Sequence, residues 1–457
     1  MSIPHAHVAS YYRAIRSADD TAFIGLDGRA HAEICVIGGG LAGLTTAFEL
    51  ARQGRRVVLI EADRIGWGAS GRNAGFVSCG FAESIDAVET RVGPANARAL
   101  FDLSRLGVQY VAETIIASDR RDIVAGRGAL SLSRRPELKA LQQRQTKMAE
   151  NYGCKLDLWS RDKVASMLAT STYFDALHDP SAFQIDPLAY TALMSDRCRA
   201  AGVWIFEASP VHRIADVGAG WRVETDRGVV HCEQVVLATS AYGVLNHTYR
   251  PVDRAVLPVA TYVITSEPFG ERLRETIAFR GALSDRRRAG DYYRVVGGDR
   301  LLWGGRITTR RAESGRLADM LKADIRRIYP QLGDFQVDFA WSGLMGYARH
   351  KMPLIGMIRR GLWVATAFGG HGLNTTAMAG QLIASAIADQ DDRWRLFAPF
   401  EATWGGGFAG RIAAQLEYWR MQVLDRAGEW RHRRGSAAGS STVSPKRPVT
   451  SDAPTAP

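Results

Sequence analysis

The residues Gly38-Gly39-Gly40-Leu41-Ala42-Gly43 fit the pattern G-x-G-x-x-G, and Glu61 stands 18 residues beyond Gly43. That spacing suits a dinucleotide. Gly38 permits a tight turn, Gly40 lets backbone approach a pyrophosphate, and Gly43 allows a helix to pack closely on a strand, with the helix N-terminus facing the phosphates. Glu61 is placed to accept protons from both ribose hydroxyls, and its charge would repel a 2′-phosphate, which disfavours NADP and leaves NAD and FAD. Residues 65–75, with four glycines among Ser70, Arg72 and Asn73, follow directly. Their many free N–H donors can wrap a pyrophosphate and a flavin, which favours FAD.

The elements that must position these residues are legible around them. Residues 34–37 form a short apolar β-prone run that ends in three glycines, residues 41–53 are good helix formers stopped by Gly54, and residues 56–60 give a second buried strand. Together they predict one βαβ unit. Helical patterns follow at 97–117 and 137–152, and strand patterns at 203–206, 221–225 and 235–238. Residues 256–265 and 291–306 alternate apolar, aromatic and polar side chains, as antiparallel strands with one face on a cavity would. Nucleotide-type and antiparallel segments therefore interleave. The expected architecture is α/β, with a Rossmann-like FAD-binding domain from 31–95, 175–245 and 340–392 and an antiparallel-sheet substrate domain from 96–174 and 246–339. Packing helices are expected over 393–430, and a disordered basic tail over 431–457.

Composition bounds the function. The 457 residues are 46% apolar and 23% charged, a large globular composition with room for a bulky cofactor. Five cysteines, an odd number without metal-ligand spacing, fit a reducing cytoplasm and predict no metal site. The N-terminal thirty residues lack the apolar core of a secretory signal. Residues 361–388 carry no Asp, Glu, Lys or Arg, yet their five glycines, His371 and Asn374 fit a strand, a glycine turn and a buried helix better than a transmembrane span. The net charge of +11 comes from arginines scattered along the chain, without a zinc-finger spacing or aromatic RNA-binding signature, so no nucleic-acid partner is expected.

The chain resembles the D-amino-acid-oxidase-like flavoproteins, the group that includes glycine oxidase and sarcosine oxidase, and within it the members that oxidise gamma-glutamylputrescine. The resemblance rests on Tyr11-Tyr12, on residues 35–43, 66–73 and 235–242, on Asp291-Tyr292-Tyr293-Arg294, on residues 301–305, on Pro353-Leu354-Ile355-Gly356 and on Gly369-Gly370-His371-Gly372. It covers residues 10 to 425. It implies that Gly38, Gly40, Leu41, Ala42 and Gly43 hold the pyrophosphate of FAD and Glu61 the ribose. Gly68, Ala69, Ser70, Arg72 and Asn73 would lie toward the isoalloxazine, with Val211, Ala238 and Thr239 on the nucleotide side. Gly370, His371, Gly372, Leu373 and Asn374 would open a helix aimed at the flavin pyrimidine, where N–H groups stabilise negative charge. Tyr293 and His371 are the catalytic candidates. Tyr292, Tyr293, Trp303 and Arg349 are the substrate-lining ones.

Departures from the family pattern sharpen the expectation. Met345 stands where glycine-oxidase-like members present an arginine to the substrate carboxylate, and Asn374 where sarcosine-oxidase-like members place a lysine. An unpaired carboxylate in a dry pocket is costly, so a simple glycine or sarcosine oxidase is disfavoured. A cysteine that tethers flavin in some relatives would fall near Gly343, which implies bound but unattached FAD. No lysine occurs from 164 to 321, so the family's oxygen-activating lysine has no counterpart, and electrons pass to oxygen or to another acceptor. The expected activity is hydride transfer from the α-carbon of an amine to flavin N5, with a gamma-glutamylated polyamine as substrate. The alternatives are a cyclic or N-methylated amino acid held by Arg294 or Arg349, and a flavin subunit of a larger dehydrogenase that docks through its basic tail.

Overall fold

The computed structural model describes residues 6–16, 23–287, 289–309 and 316–439, the last nine as backbone only. Two sheets organise the described residues. In the first, Leu354–Arg359, Leu362–Thr366, Gly228–Leu237, Gly28–Ile37, Val57–Ile60 and Trp204–Phe206 lie side by side. Its centre is parallel, with Cys35 opposite both Val58 and Val235. Ile34, Cys35, Val36 and Ile37 are all buried, as strands covered on both faces must be. Helix α1 (Leu41–Arg52) packs on this sheet.

Helix α2 (Ile85–Ala117), bent at Gly93-Pro94, and helix α3 (Gly372–Ala388) complete the same layer. Gly107 of α2 approaches α3 so closely that a methyl group there would sit 2.1 Å from the Asn374 carbonyl oxygen. Residues 361–388 thus form a strand, a glycine turn and a buried helix. Among the described residues, no helix is long and apolar enough to cross a membrane.

The second sheet runs Val337–Tyr347, Leu257–Ser266, Arg300–Thr308, Tyr292–Val296, Ala282–Asp285, Val124–Leu132, Ala176–Ile185 and Phe76–Val77. All its pairs are antiparallel except Val124–Leu132 with Ala282–Asp285. One face covers a core of Tyr262, Ile264, Tyr293, Leu301 and Trp303, and helix Leu317–Ile328 closes that core with Leu321, Ile325 and Ile328.

The expected segment boundaries shift in three places. Residues 97–117 belong to α2 and the first sheet's layer, strand Ala176–Ile185 joins the second sheet, and the second sheet keeps all of Val337–Tyr347, past the expected break at 340. Periodicity reports the type of an element, but the partner a strand chooses is a long-range matter. The C-terminal segment also departs from expectation. Helix α4 (Gly407–Gly439) runs through the boundary expected at 430, and Ile412, Leu416, Trp419 and Leu424 face solvent instead of packing. Helical spacing shows which residues share a face, not which face is covered. Residues 440–457 of the expected disordered tail lie outside the described residues.

Candidate active site

A cavity of about 470 Å³ runs from the glycine turn of the first sheet to the open face of the second. Its nucleotide end is built by backbone. Gly38 has φ +114° and gives its N–H to the Ile60 carbonyl oxygen at 2.8 Å, and a methyl group on it would lie 2.6 Å from the Ala238 carbonyl oxygen. Only glycine meets both demands. Gly43 does not line the cavity. Its Cα faces the turn so tightly that a methyl group would stand 1.9 Å from the Gly38 carbonyl oxygen, which is the helix-to-strand packing its motif position calls for.

Gly40 caps α1, and the Ser70 hydroxyl accepts the N–H of Leu41 at 2.9 Å, tying residues 66–75 to the helix end. Glu61 accepts from Gly39 N at 2.6 Å and Asp63 N at 2.9 Å. Burial pushes its carboxyl up to about 7, although these two N–H groups pull the other way. Asn73 locks the loop, donating to the carbonyl oxygens of Ala69 and Ser70 and accepting from Gly75 N at 2.8 Å. Arg72 donates to the carbonyl oxygens of Trp67 at 2.8 Å and Ser342 at 3.3 Å, and its guanidinium lies 4.5 Å from the Trp67 ring centre.

Gly38, Gly40, Leu41, Ala42, Glu61, Gly68, Ala69, Ser70, Arg72, Asn73, Val211, Ala238 and Thr239 all line this one cavity. Gly370, His371, Gly372 and Leu373 close it from the start of α3. A methyl group on Gly372 would meet nothing within 4 Å, so the turn leaves open space there. His371 Nε2 is 3.5 Å from the Ser78 hydroxyl, and burial holds the imidazole below its ordinary value. Asn374 is different. Its side chain turns away and donates to the carbonyl oxygens of Gly80 and Ser104, pinning α3 to α2.

Three expected substrate residues also fall elsewhere. Tyr293 and Trp303 are register partners stacked 4.0 Å apart on the far face of the second sheet, where the Tyr293 hydroxyl bonds those of Tyr173 and Tyr329. Successive side chains of a strand point to opposite faces, so Tyr292 and Tyr293 cannot share one cavity. Tyr292 is the one that lines it. Arg349 is exposed and outside the cavity. Arg294, offered as a displaced carboxylate clamp, is buried behind the wall and donates to the Tyr12 hydroxyl and the Ile185 carbonyl oxygen. Neither arginine is a clamp.

The sequence reading missed Thr261, Ser78, Tyr242 and Tyr347 as cavity walls, whereas Met345, which the resemblance set at the place of the absent arginine, does line the cavity. Alternation in 256–265 marked one face of that strand for a cavity, which could have singled out Thr261. Nothing local marks Ser78. The substrate end, formed by Phe76, Phe183, Thr261, Ser284, Tyr292 and Tyr347, is aromatic and hydroxylic, and Arg72 is the cavity's only guanidinium or ammonium among the described residues.

The wall suits FAD. A glycine turn and helix end for phosphates, a partly buried carboxylate for ribose hydroxyls and an aromatic and hydroxylic remainder occupy one continuous space.

Comparison with known proteins agrees. The family model described as FAD dependent oxidoreductase (DAO) matches residues 33–386. A probable oxidoreductase, OrdL, from Haemophilus influenzae is 30% identical over 92% of this chain and 98% of its own. The gamma-glutamylputrescine oxidoreductase of Escherichia coli is 31% identical over 86% of this chain and 92% of its own. The crystal structure of glycine oxidase from Geobacillus kaustophilus superposes with a TM-score of 0.68 at 21% identity, covering 82% of this chain and 98% of that one.

Proposed function

Since the chain belongs to the DAO family of FAD-dependent oxidoreductases, which act on amine or amino-acid donors, we propose that it oxidises gamma-glutamylputrescine or a close gamma-glutamylated polyamine at the carbon beside the terminal amine. The observation that carries this reading is the neutral substrate end. Thr261, Ser284, Tyr292, Tyr347 and Met345 give a small amino acid no cation for a carboxylate beside the reacting carbon. A gamma-glutamylated amine keeps its carboxylate at the far end of the molecule, so burying its amine end as the free amine leaves no carboxylate unpaired. The similarity to the Escherichia coli gamma-glutamylputrescine oxidoreductase supports the same choice.

FAD, bound without a covalent link, supplies the hydride acceptor. The chain's own residues orient and dry the substrate. The paired hydroxyls of Tyr292 and Thr261 offer a hydrogen-bond donor and acceptor to the amine end, and Phe76, Phe183 and Met345 exclude water around the C–H bond. His371, whose charging burial disfavours, offers a neutral ring nitrogen that can hydrogen-bond the amine end as the free amine. The imine product hydrolyses to an aldehyde. Electrons leave to oxygen or another acceptor. Five cysteines without disulfides support a cytoplasmic setting.

The test is the visible spectrum of the purified protein before and after anaerobic addition of gamma-glutamylputrescine. The oxidised-flavin band should bleach at micromolar to millimolar substrate. Bleaching by glycine, sarcosine or pipecolate but not by the polyamine would reassign the substrate.

A further inference from the structure

Helix α4 is built inside out for a surface helix. Its inner face, which also carries Tyr418 and Met421, is held by polar contacts. Gln415 Oε1 accepts from the Thr308 hydroxyl and Thr309 N, both at 3.0 Å, the Arg411 carbonyl oxygen accepts from the Thr309 hydroxyl at 2.9 Å, and Asp425 Oδ2 accepts from Ala289 N at 3.1 Å. Glu429 lies 3.9 Å from Arg134 on the same side. The outer face is apolar. Phe408, Ile412, Leu416, Trp419, Val423 and Trp430 are each between 46 and 71% exposed. At 3.6 residues per turn they fall within an arc of about 80° and form one stripe. A globular protein normally buries such a stripe against its core and leaves the polar face wet. A contiguous exposed apolar strip of this kind marks an interaction surface.

Charge selects the occupant. Arg426 flanks the stripe and is exposed, Arg420 and Glu417 pair with and offset each other, and Asp425 and Glu429 are turned to the protein body. The sequence beyond Trp430 adds Arg431, Arg433, Arg434, Lys446 and Arg447 against Asp452 alone. A second copy of the chain would bring the same arginines to meet these, and like charges repel. Indole rings and aliphatic side chains on one side, bordered by arginine, match the boundary between headgroups and acyl chains.

We propose that the outer face of α4 seats the enzyme on a lipid surface rich in anionic headgroups, lying in the interface plane without crossing it. Because the inner face of α4 holds residues next to the cavity walls Ile307 and Gly290, the seated enzyme presents the substrate end of its cavity close to that surface.

The test uses the full-length holoenzyme and flotation with phosphatidylcholine vesicles, with and without phosphatidylglycerol as about a third of the lipid. The protein should float with the anionic vesicles, stay behind with the neutral ones, and be released in about 1 M salt, where the Debye length is ~3 Å. The paired substitution Trp419→Ser and Val423→Ser should weaken binding about tenfold or more while leaving the flavin spectrum and turnover of soluble substrate unchanged. Arg420→Ser with Arg426→Ser should weaken binding to anionic vesicles and lower its salt dependence without abolishing it, because the basic residues beyond Trp430 remain. Absence of flotation with anionic vesicles overturns the proposal. So does equal flotation of the Trp419/Val423 variant, or a dimer in sedimentation that this variant dissolves, which would give the stripe to a second copy.

Discussion

The ring of Tyr292 lies across Gly304 of the neighbouring strand and reaches the strand beyond, where its hydroxyl stands 2.9 Å from Thr261 Oγ1. A methyl group at Gly304 would sit 2.1 Å from that ring, so the missing side chain is what lets Tyr292 fold over the sheet and face the cavity.

Two substitutions should therefore converge. Tyr292→Phe removes the hydroxyl and Gly304→Ala pushes the ring aside, and each should raise KM about five- to tenfold, near 1 kcal/mol, with FAD still bound. Steady-state kinetics beside the flavin spectrum check this. Unchanged KM in both variants would remove Tyr292 from the substrate wall.

The neighbouring residue should behave in the opposite way. The Tyr293 hydroxyl bonds Tyr173 at 3.1 Å and Tyr329 at 2.9 Å inside the second core. Tyr293→Phe should lower unfolding stability by about 1–3 kcal/mol, read from a denaturant midpoint, and leave KM and the rate of flavin reduction near wild type. A large kinetic effect without destabilisation would put this residue back in the site.

This pair shows where the sequence stops being legible. The glycine turn, Glu61 and the loop of Arg72 and Asn73 were readable because each is a local device, with the φ, the cap and the loop hydrogen bonds all set within about forty residues. Which of Tyr292 and Tyr293 faces the cavity depends on how the strand Tyr292–Val296 is registered on its neighbours, and motif matching carries no register. Asn374 misled for a similar reason. It sits within the first turn of the predicted helix, yet its orientation is set by Gly80 and Ser104, nearly three hundred residues away in sequence.

His371 gives a pH signature. Burial holds its folded-state value below the ordinary 6.5, so between the two values the unfolded chain binds more protons than the folded one. Its contribution to stability is complete above pH 6.5 and is lost as pH falls below it. His371→Asn should flatten that acid limb in thermal unfolding. If a ring nitrogen also holds the amine end as the free amine, the same variant should slow anaerobic flavin reduction about tenfold or more near neutral pH, with KM moved less. An unchanged rate would leave His371 a cavity wall only.

Glu61 should make flavin affinity depend on pH in the opposite sense from an exposed carboxylate. In the cofactor-free protein burial keeps it protonated up to about pH 7, whereas the unfolded chain releases that proton near 4.5. Between these values the folded state holds the extra proton, so the apoprotein loses stability as pH rises from 4.5 to 7. Ribose hydroxyls donate to the carboxylate and favour its charged form, so FAD binding must expel the proton below pH 7. Measured by fluorescence titration of apoprotein, FAD affinity should climb by up to about tenfold per pH unit below 7 and level off above it. Glu61→Gln has no proton to expel and should bind FAD more weakly at pH 8, with this slope gone. A variant that keeps the wild-type slope would mean that the titrating group lies elsewhere and that Glu61 does not hold the ribose.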